Sequence, residues 1–158
     1  MKTYRWATLG CGVIANELAQ AMQKDGRTLY GVANRTYENA VAFAKKYEVE
    51  KVYKNIQDLF EDDDVDIVYI STPHNTHIQY LREALKHGKH VLCEKSITLN
   101  AKELEEAKQL AEENGVVLAE AMTIYHMPLY KKLQEVIRSG KLGKLCICLL
   151  YTSPSPRD

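Results

Sequence analysis

Thr8-Leu9-Gly10-Cys11-Gly12-Val13-Ile14-Ala15 is the stretch whose reading decides the fold. The apolar run over residues 4–9 reads as a β-strand. Residues 13–24 read as a helix, with Ile14, Leu18, Ala21 and Met22 expected on its inner face. Gly10-x-Gly12-x-x-Ala15 lies between them, in the strand–turn–helix setting that a pyrophosphate-binding loop needs. Gly10 permits a tight turn. Gly12 has no Cβ, so phosphates can approach the backbone, and the small Ala15 lets helix and strand pack closely. The helix N-terminus offers free N–H groups and the positive end of a dipole. Cys11, Val13 and Ile14 fill the remaining positions of this candidate cofactor loop.

Outward from the loop, short apolar runs alternate with amphipathic stretches. Further strands are expected at 29–33, 51–53, 65–70, 90–93, 116–119 and 144–147. Helices are expected after Thr36, with Ala40, Phe43, Ala44 and Tyr47 inward, and after Asn55. Others are expected over 75–87, after the capping-box pair Asn100 and Glu103, and over 128–138. In the last of these, Leu129, Leu133, Val136 and Ile137 are read as inward. The dense β-branched run at 65–70 suits a strand buried on both faces. The acids at 61–64 read as a solvated turn. This alternation predicts an α/β fold: a Rossmann-like, doubly wound parallel sheet covered by helices on both faces.

The place after the second strand selects the dinucleotide. An NAD site usually carries Asp or Glu there, about 20 residues beyond the loop, to bind the ribose 2′-hydroxyl. Here it reads Ala33-Asn34-Arg35-Thr36, with no carboxylate. Arg35 can pair with a 2′-phosphate in forked geometry, and Asn34 adds neutral hydrogen bonds. NADP is therefore expected over NAD, with NAD retained as possible. The competing reading makes Arg35 a solvated surface charge.

Composition removes other classes. The 158 residues carry 21 Lys plus Arg against 21 Asp plus Glu, a balance that does not suit nucleic acid as the main partner. No apolar run reaches the roughly 18 residues of a membrane-spanning helix, so no membrane partner is expected. The N-terminus enters a strand directly, without the apolar core of a signal peptide, so a cytoplasmic location is expected. Cys11, Cys93, Cys146 and Cys148 have no C-x-x-C spacing and read as reduced and structural. His87, His90 and His126 have no metal-ligand spacing, and no metal is expected.

Three segments together resemble the Gfo/Idh/MocA oxidoreductases, over about residues 3–147. They are Gly10-Cys11-Gly12-Val13-Ile14-Ala15, Ser71-Thr72-Pro73-His74-Asn75-Thr76-His77 and Cys93-Glu94-Lys95-Ser96. The second is similar to the family's S-T-P-N-x-x-H segment and the third to its E-K-P signature. Ala119-Glu120-Ala121-Met122 is most similar to the branch of dihydrodiol dehydrogenases and NADP-dependent sugar oxidoreductases. The resemblance implies Lys95 as the catalytic residue and Glu94 beside the cofactor. It also implies that Ser71, Thr72, Pro73, His74, Asn75 and His77 lie along the cofactor. Two readings of His77 stay open: a cofactor-loop residue, or an early-helix histidine packed against that loop. Ser96 replaces the signature Pro, which would have fixed the backbone that aims Lys95. His74 stands where the family often has Asn.

The resemblance implies hydride transfer between a nicotinamide and a sugar-like, polyol or dihydrodiol substrate, with a small carbohydrate-like molecule as partner and a homo-oligomer at full length. A nucleotide-binding regulatory module without turnover is the alternative; retention of Glu94 and Lys95 favours the enzyme. Residues 1–123 are expected to form the dinucleotide-binding domain, and 124–147 a linker helix and the first strand of a second α+β domain carrying most substrate contacts. On this reading the fragment alone is inactive. Residues 148–158 do not continue the family pattern. They are expected to be non-native, the translation of a transposase end joined to a sequencing adapter, a natural Ser/Pro-rich tail being the alternative.

Overall fold

The computed structural model describes residues 3–146. The chain divides into two compact units after Ala121. In the first, β1 (Trp6–Leu9), β2 (Gly31–Ala33), β3 (Lys51–Tyr53), β4 (Ile67–Ile70), β5 (His90–Cys93) and β6 (Leu118–Glu120) form one sheet in the order β3-β2-β1-β4-β5-β6. Every pairing is parallel. The strand order reverses between β1 and β4, which makes their carboxyl ends the switch point where ligands bind in such sheets.

Helices α1 (Val13–Lys24) and α2 (Tyr37–Tyr47) pack with Val32 into one core through Ala15, Ala19, Met22, Ala40, Phe43 and Tyr47. Helices α3 (Ile56–Glu61), α4 (His77–Lys86) and α5 (Ala101–Glu113) cover the other face through Leu59, Phe60, Leu81, Leu85, Ala107 and Ala111. The α2 face is as its periodicity predicts. The α1 face is rotated: Ala15, Ala19 and Met22 are buried, Leu18 is half-buried, and Ile14 and Ala21 are exposed. Alanines occupy the contact because a helix this close to its strand leaves no room for larger side chains. The α5 cap forms as its sequence suggests, Glu103 N donating to Asn100 Oδ1 at 3.0 Å. The Glu103 carboxylate reaches back to Leu99 N at 3.1 Å.

Other boundaries shift. A single 3₁₀ turn, His74–Thr76, precedes α4, so that helix starts at His77 with Thr76, not Asn75, at its N-cap. In the second unit a 3₁₀ turn, Thr123–His126, leads into α6 (Pro128–Arg138). No α6 residue is buried: Leu133 and Val136 are half-buried, while Leu129 and Ile137 are exposed. An apolar stripe is buried only where another element covers it, which corrects the inward reading of these four. Residues 144–146 form no strand, and the rest of the expected strand and the 148–158 tail lie outside the described residues. No described helix is long and apolar enough to cross a membrane.

The acidic turn is also not simply solvated. Asp62 Oδ2 accepts Lys51 Nζ and Tyr53 OH, each at 2.6 Å, and its Oδ1 accepts Asp64 N at 3.0 Å. The buried Lys89 donates to the Asp62 carbonyl at 2.6 Å, and Arg5 pairs with Asp64. The turn thereby ties the amino ends of β1, β3 and β5 together, at the opposite edge of the sheet from the switch point. Burial alone would raise the Asp62 pKa, but the Lys51, Tyr53 and Asp64 hydrogen bonds outweigh it and hold the carboxyl at about 2. Its folded pKa is thus below the unfolded value of about 3.9. The stabilisation is complete above about pH 4 and is lost as pH falls through about 2, amounting to roughly 2 kcal/mol. Denaturant unfolding of the chain and of Asp62→Asn, compared at pH 6 and pH 3, should give a stability difference that shrinks by about half at the lower pH. A constant gap would show that the carboxylate charge contributes nothing.

Candidate cofactor-binding site

Sheet register sets where the loops of the site begin. Leu9 pairs with Ala33 and Ile70, Ile70 with Cys93, and Cys93 with Glu120. The strands therefore end at one level, and Gly10, Asn34, Ser71 and Glu94 are the first residues beyond it.

Gly10 has φ +112° and donates its N–H to Ala33 O at 2.9 Å. A Cβ there would sit 2.8 Å from both the carbonyl oxygen and Oγ of Ser71, so the β1 and β4 loops approach as closely as glycine permits. Ser71 N donates to Leu9 O at 3.0 Å, and Thr8 Oγ1 to Gly10 O at 3.2 Å. Asn16 Nδ2 donates to Gly12 O at 2.8 Å and Cys11 O at 3.2 Å, pinning the loop carbonyls from inside α1. Gly12 is the N-cap of α1 and supplies no side-chain cap. The first turn contains no acid, and a Cβ built on Gly12 meets nothing within 4 Å. Unsatisfied helix N–H groups facing an open cradle beside Val13 and Ile14 suit a pyrophosphate. Burial pushes the Cys11 thiol up to about 11, and burial first, then the Glu94 and Glu120 carboxylates, pushes the Cys93 thiol to about 12, so both stay protonated.

Asn34 is half-buried, and its Nδ2 donates to Thr36 O at 3.0 Å. Arg35 is exposed and makes no ion pair among the described residues. After β4, Thr76 Oγ1 donates to Pro73 O at 2.6 Å and lies in hydrogen-bond contact with the Thr72 hydroxyl at 2.8 Å, tightening the turn that presents His74 and Asn75 to solvent. The His77 ring is fully buried, with Nε2 2.8 Å from Thr72 O and Nδ1 2.9 Å from Ser96 O. Both nitrogens thus face protein carbonyls, and the ring joins the β4 loop to the β5 loop. After β5, half-buried Glu94 accepts a 2.5 Å hydrogen bond on Oε1 from the Tyr69 hydroxyl; Lys95 is exposed, and the Lys95–Ser96 peptide bond is cis. Burial first, then the bond to Glu94, pushes the Tyr69 hydroxyl far above its ordinary pKa, which keeps it a donor.

Sequence reasoning missed Tyr69 and Asn16. Tyr69 was legible only as the one phenol in an aliphatic strand, and Asn16 only as a polar residue directly after the loop's Ala15. No group of three or more His, Cys, Asp or Glu side chains that could hold a metal occurs among the described residues.

A parallel sheet whose switch point carries a glycine turn and an uncapped helix defines a Rossmann-type nucleotide-binding fold. Residues 4–122 match the Gfo/Idh/MocA profile, described as an oxidoreductase family with an NAD-binding Rossmann fold, and the chain belongs to that family. It is 33% identical over 144 residues to mouse trans-1,2-dihydrobenzene-1,2-diol dehydrogenase, covering 89% of this chain and 43% of that protein. It is 36% identical over 132 residues to the NADP(+) scyllo-inositol 2-dehydrogenase of Bacillus subtilis, covering 83% of this chain and 40% of the relative. A 3-ketoreductase from Actinomadura kijaniata, solved with NADP, superimposes with a TM-score of 0.83 at 30% identity, over 90% of this chain and 46% of that one. The chain therefore spans less than half the length of these relatives.

Proposed function

We propose that this chain is the cofactor-binding part of an NADP-preferring oxidoreductase that moves hydride to or from a carbonyl or carbinol carbon of a small polyhydroxylated substrate. The bound nicotinamide would supply or accept the hydride. The Gly10–Ala15 loop and the α1 N-terminus hold the pyrophosphate, and Arg35, with Asn34, takes the 2′-phosphate. The Ser71–Asn75 backbone and Glu94 line the path toward the nicotinamide end. Lys95, beyond the carboxyl end of β5, hydrogen-bonds the reacting oxygen and stabilises the negative charge on it. Relatives named for a dihydrodiol, an inositol and a keto group support this substrate class.

The observation that carries the cofactor choice is the exposed Arg35, without an ion pair among the described residues, where an NAD site would place an acid. Calorimetric titration of the chain should give about tenfold or more tighter binding of NADPH than NADH, the worth of one forked charge-assisted contact. Arg35→Asp should invert the order by repelling the 2′-phosphate and offering a ribose hydroxyl an acceptor. Equal affinities in the unmodified chain would sink the NADP preference.

A further inference from the structure

We propose that Tyr69 and His77 are positioning residues that bracket Lys95 from both sides, Tyr69 by holding the Glu94 carboxylate and His77 by holding the Ser96 carbonyl. This rests on the reading of Lys95 above. The residue after Lys95 is Ser, so no proline ring stiffens the segment. Lys95 is exposed, and no hydrogen bond or ion pair of its own holds it among the described residues. What fixes its backbone must act on its neighbours.

Two contacts do so, both from fully or nearly fully buried side chains. Tyr69 is 3% exposed and its hydroxyl lies 2.5 Å from Glu94 Oε1; His77 is 0% exposed and its Nδ1 lies 2.9 Å from Ser96 O. Each comes from an element that cannot easily move. Tyr69 stands in β4 between β1 and β5, and His77 opens α4 with its other nitrogen on Thr72 O. A buried polar group left without its partner costs the full desolvation of that group, so both bonds are strongly enforced. The Tyr69 bond engages only Oε1 of Glu94, and Oε2 has no hydrogen-bond partner among the described residues. The bracket therefore serves two ends at once: it fixes the path of the main chain on either side of Lys95, and it holds the Glu94 carboxylate by one oxygen.

The bonded amides flanking Lys95 are reporters that need no cofactor. Glu94 N donates to Ile70 O and Ile97 N to Glu120 Oε1, each at 2.9 Å. In native-state hydrogen exchange of the chain, Tyr69→Phe should speed exchange at Glu94 about tenfold, the effect of one lost hydrogen bond. His77→Gln places an amide near the position of Nε2 and leaves Ser96 O without the Nδ1 contact; it should speed exchange at Ile97 by a similar factor. His77→Asn places an amide near the position of Nδ1 and should leave Ile97 protected. Amides of β1 and α5 should not change in any variant. No change at either reporter, equal effects of Gln and Asn at position 77, a response in one arm alone, or a uniform rise across the sheet would each overturn the bracket. Tyr69→Phe removes a single oxygen and keeps the ring, so a folding failure at position 77 leaves the test standing on Tyr69, where an unaltered Glu94 overturns it. NADPH titration of the unmodified chain reports on the cofactor reading separately.

Discussion

Lys95→Met, made in a protein extended to the length of its relatives, is expected to lose about 10²–10³ in turnover while still binding NADPH. The side chain keeps most of its length and loses its charge, so the effect isolates the ammonium. Lys95 follows a strand whose last residue, Cys93, is fully buried, and it lies at the rim where the β1, β2 and β4 loops also begin. On the proposed reading, a main chain fixed at that rim would deliver the ammonium to the substrate oxygen as charge develops there. The measurement is steady-state turnover together with NADPH affinity. Turnover within a few-fold of the parent would remove Lys95 from the mechanism. The 158-residue chain itself should bind the nucleotide and turn nothing over.

Gly12→Val is expected to weaken dinucleotide binding by orders of magnitude with the fold retained. Gly12 has ordinary negative φ (−73°), and a Cβ there meets no protein atom within 4 Å. A Cβ at this position therefore meets no clash in the free protein. The branched valine side chain would instead occupy the space above the α1 N-terminus, where the phosphates must reach unsatisfied N–H groups. Thermal unfolding should move by no more than a few degrees, while titration should show affinity falling at least a hundredfold, about 2.7 kcal/mol. Unchanged affinity would reduce the loop to a turn.

The contrast between Gly10 and Gly12 explains why this loop was readable in advance. Each glycine answers to a local backbone demand, a positive φ at one and empty space at the other, and local demands are written in the residue itself. The same holds for the α2 face and for Asn100 with Glu103. Tyr69 and Asp62 were not readable because their partners lie 25 and 9–11 residues away in sequence and are brought near only by strand pairing and loop packing. A phenol in an aliphatic strand reads as core, and four consecutive acids read as solvent-facing, until the neighbouring strands are in place. The α1 face was misjudged for a related reason. Periodicity weighs large apolar residues, whereas the close approach of α1 to its strand selects alanine.

The level rim of the sheet has a further consequence, for how this sequence can change over time. Substitutions at the loop residues alter affinity one contact at a time, but a change of length inside a strand acts on all of them together. One residue inserted within β4 would turn Tyr69 to the opposite face of the sheet and slide Ser71 away from Gly10. Length drift is thus confined to the connections at the far edge and to helix ends, and homologous genes should differ there by gaps while the spacing from residue 67 to 71 and from 90 to 95 stays constant.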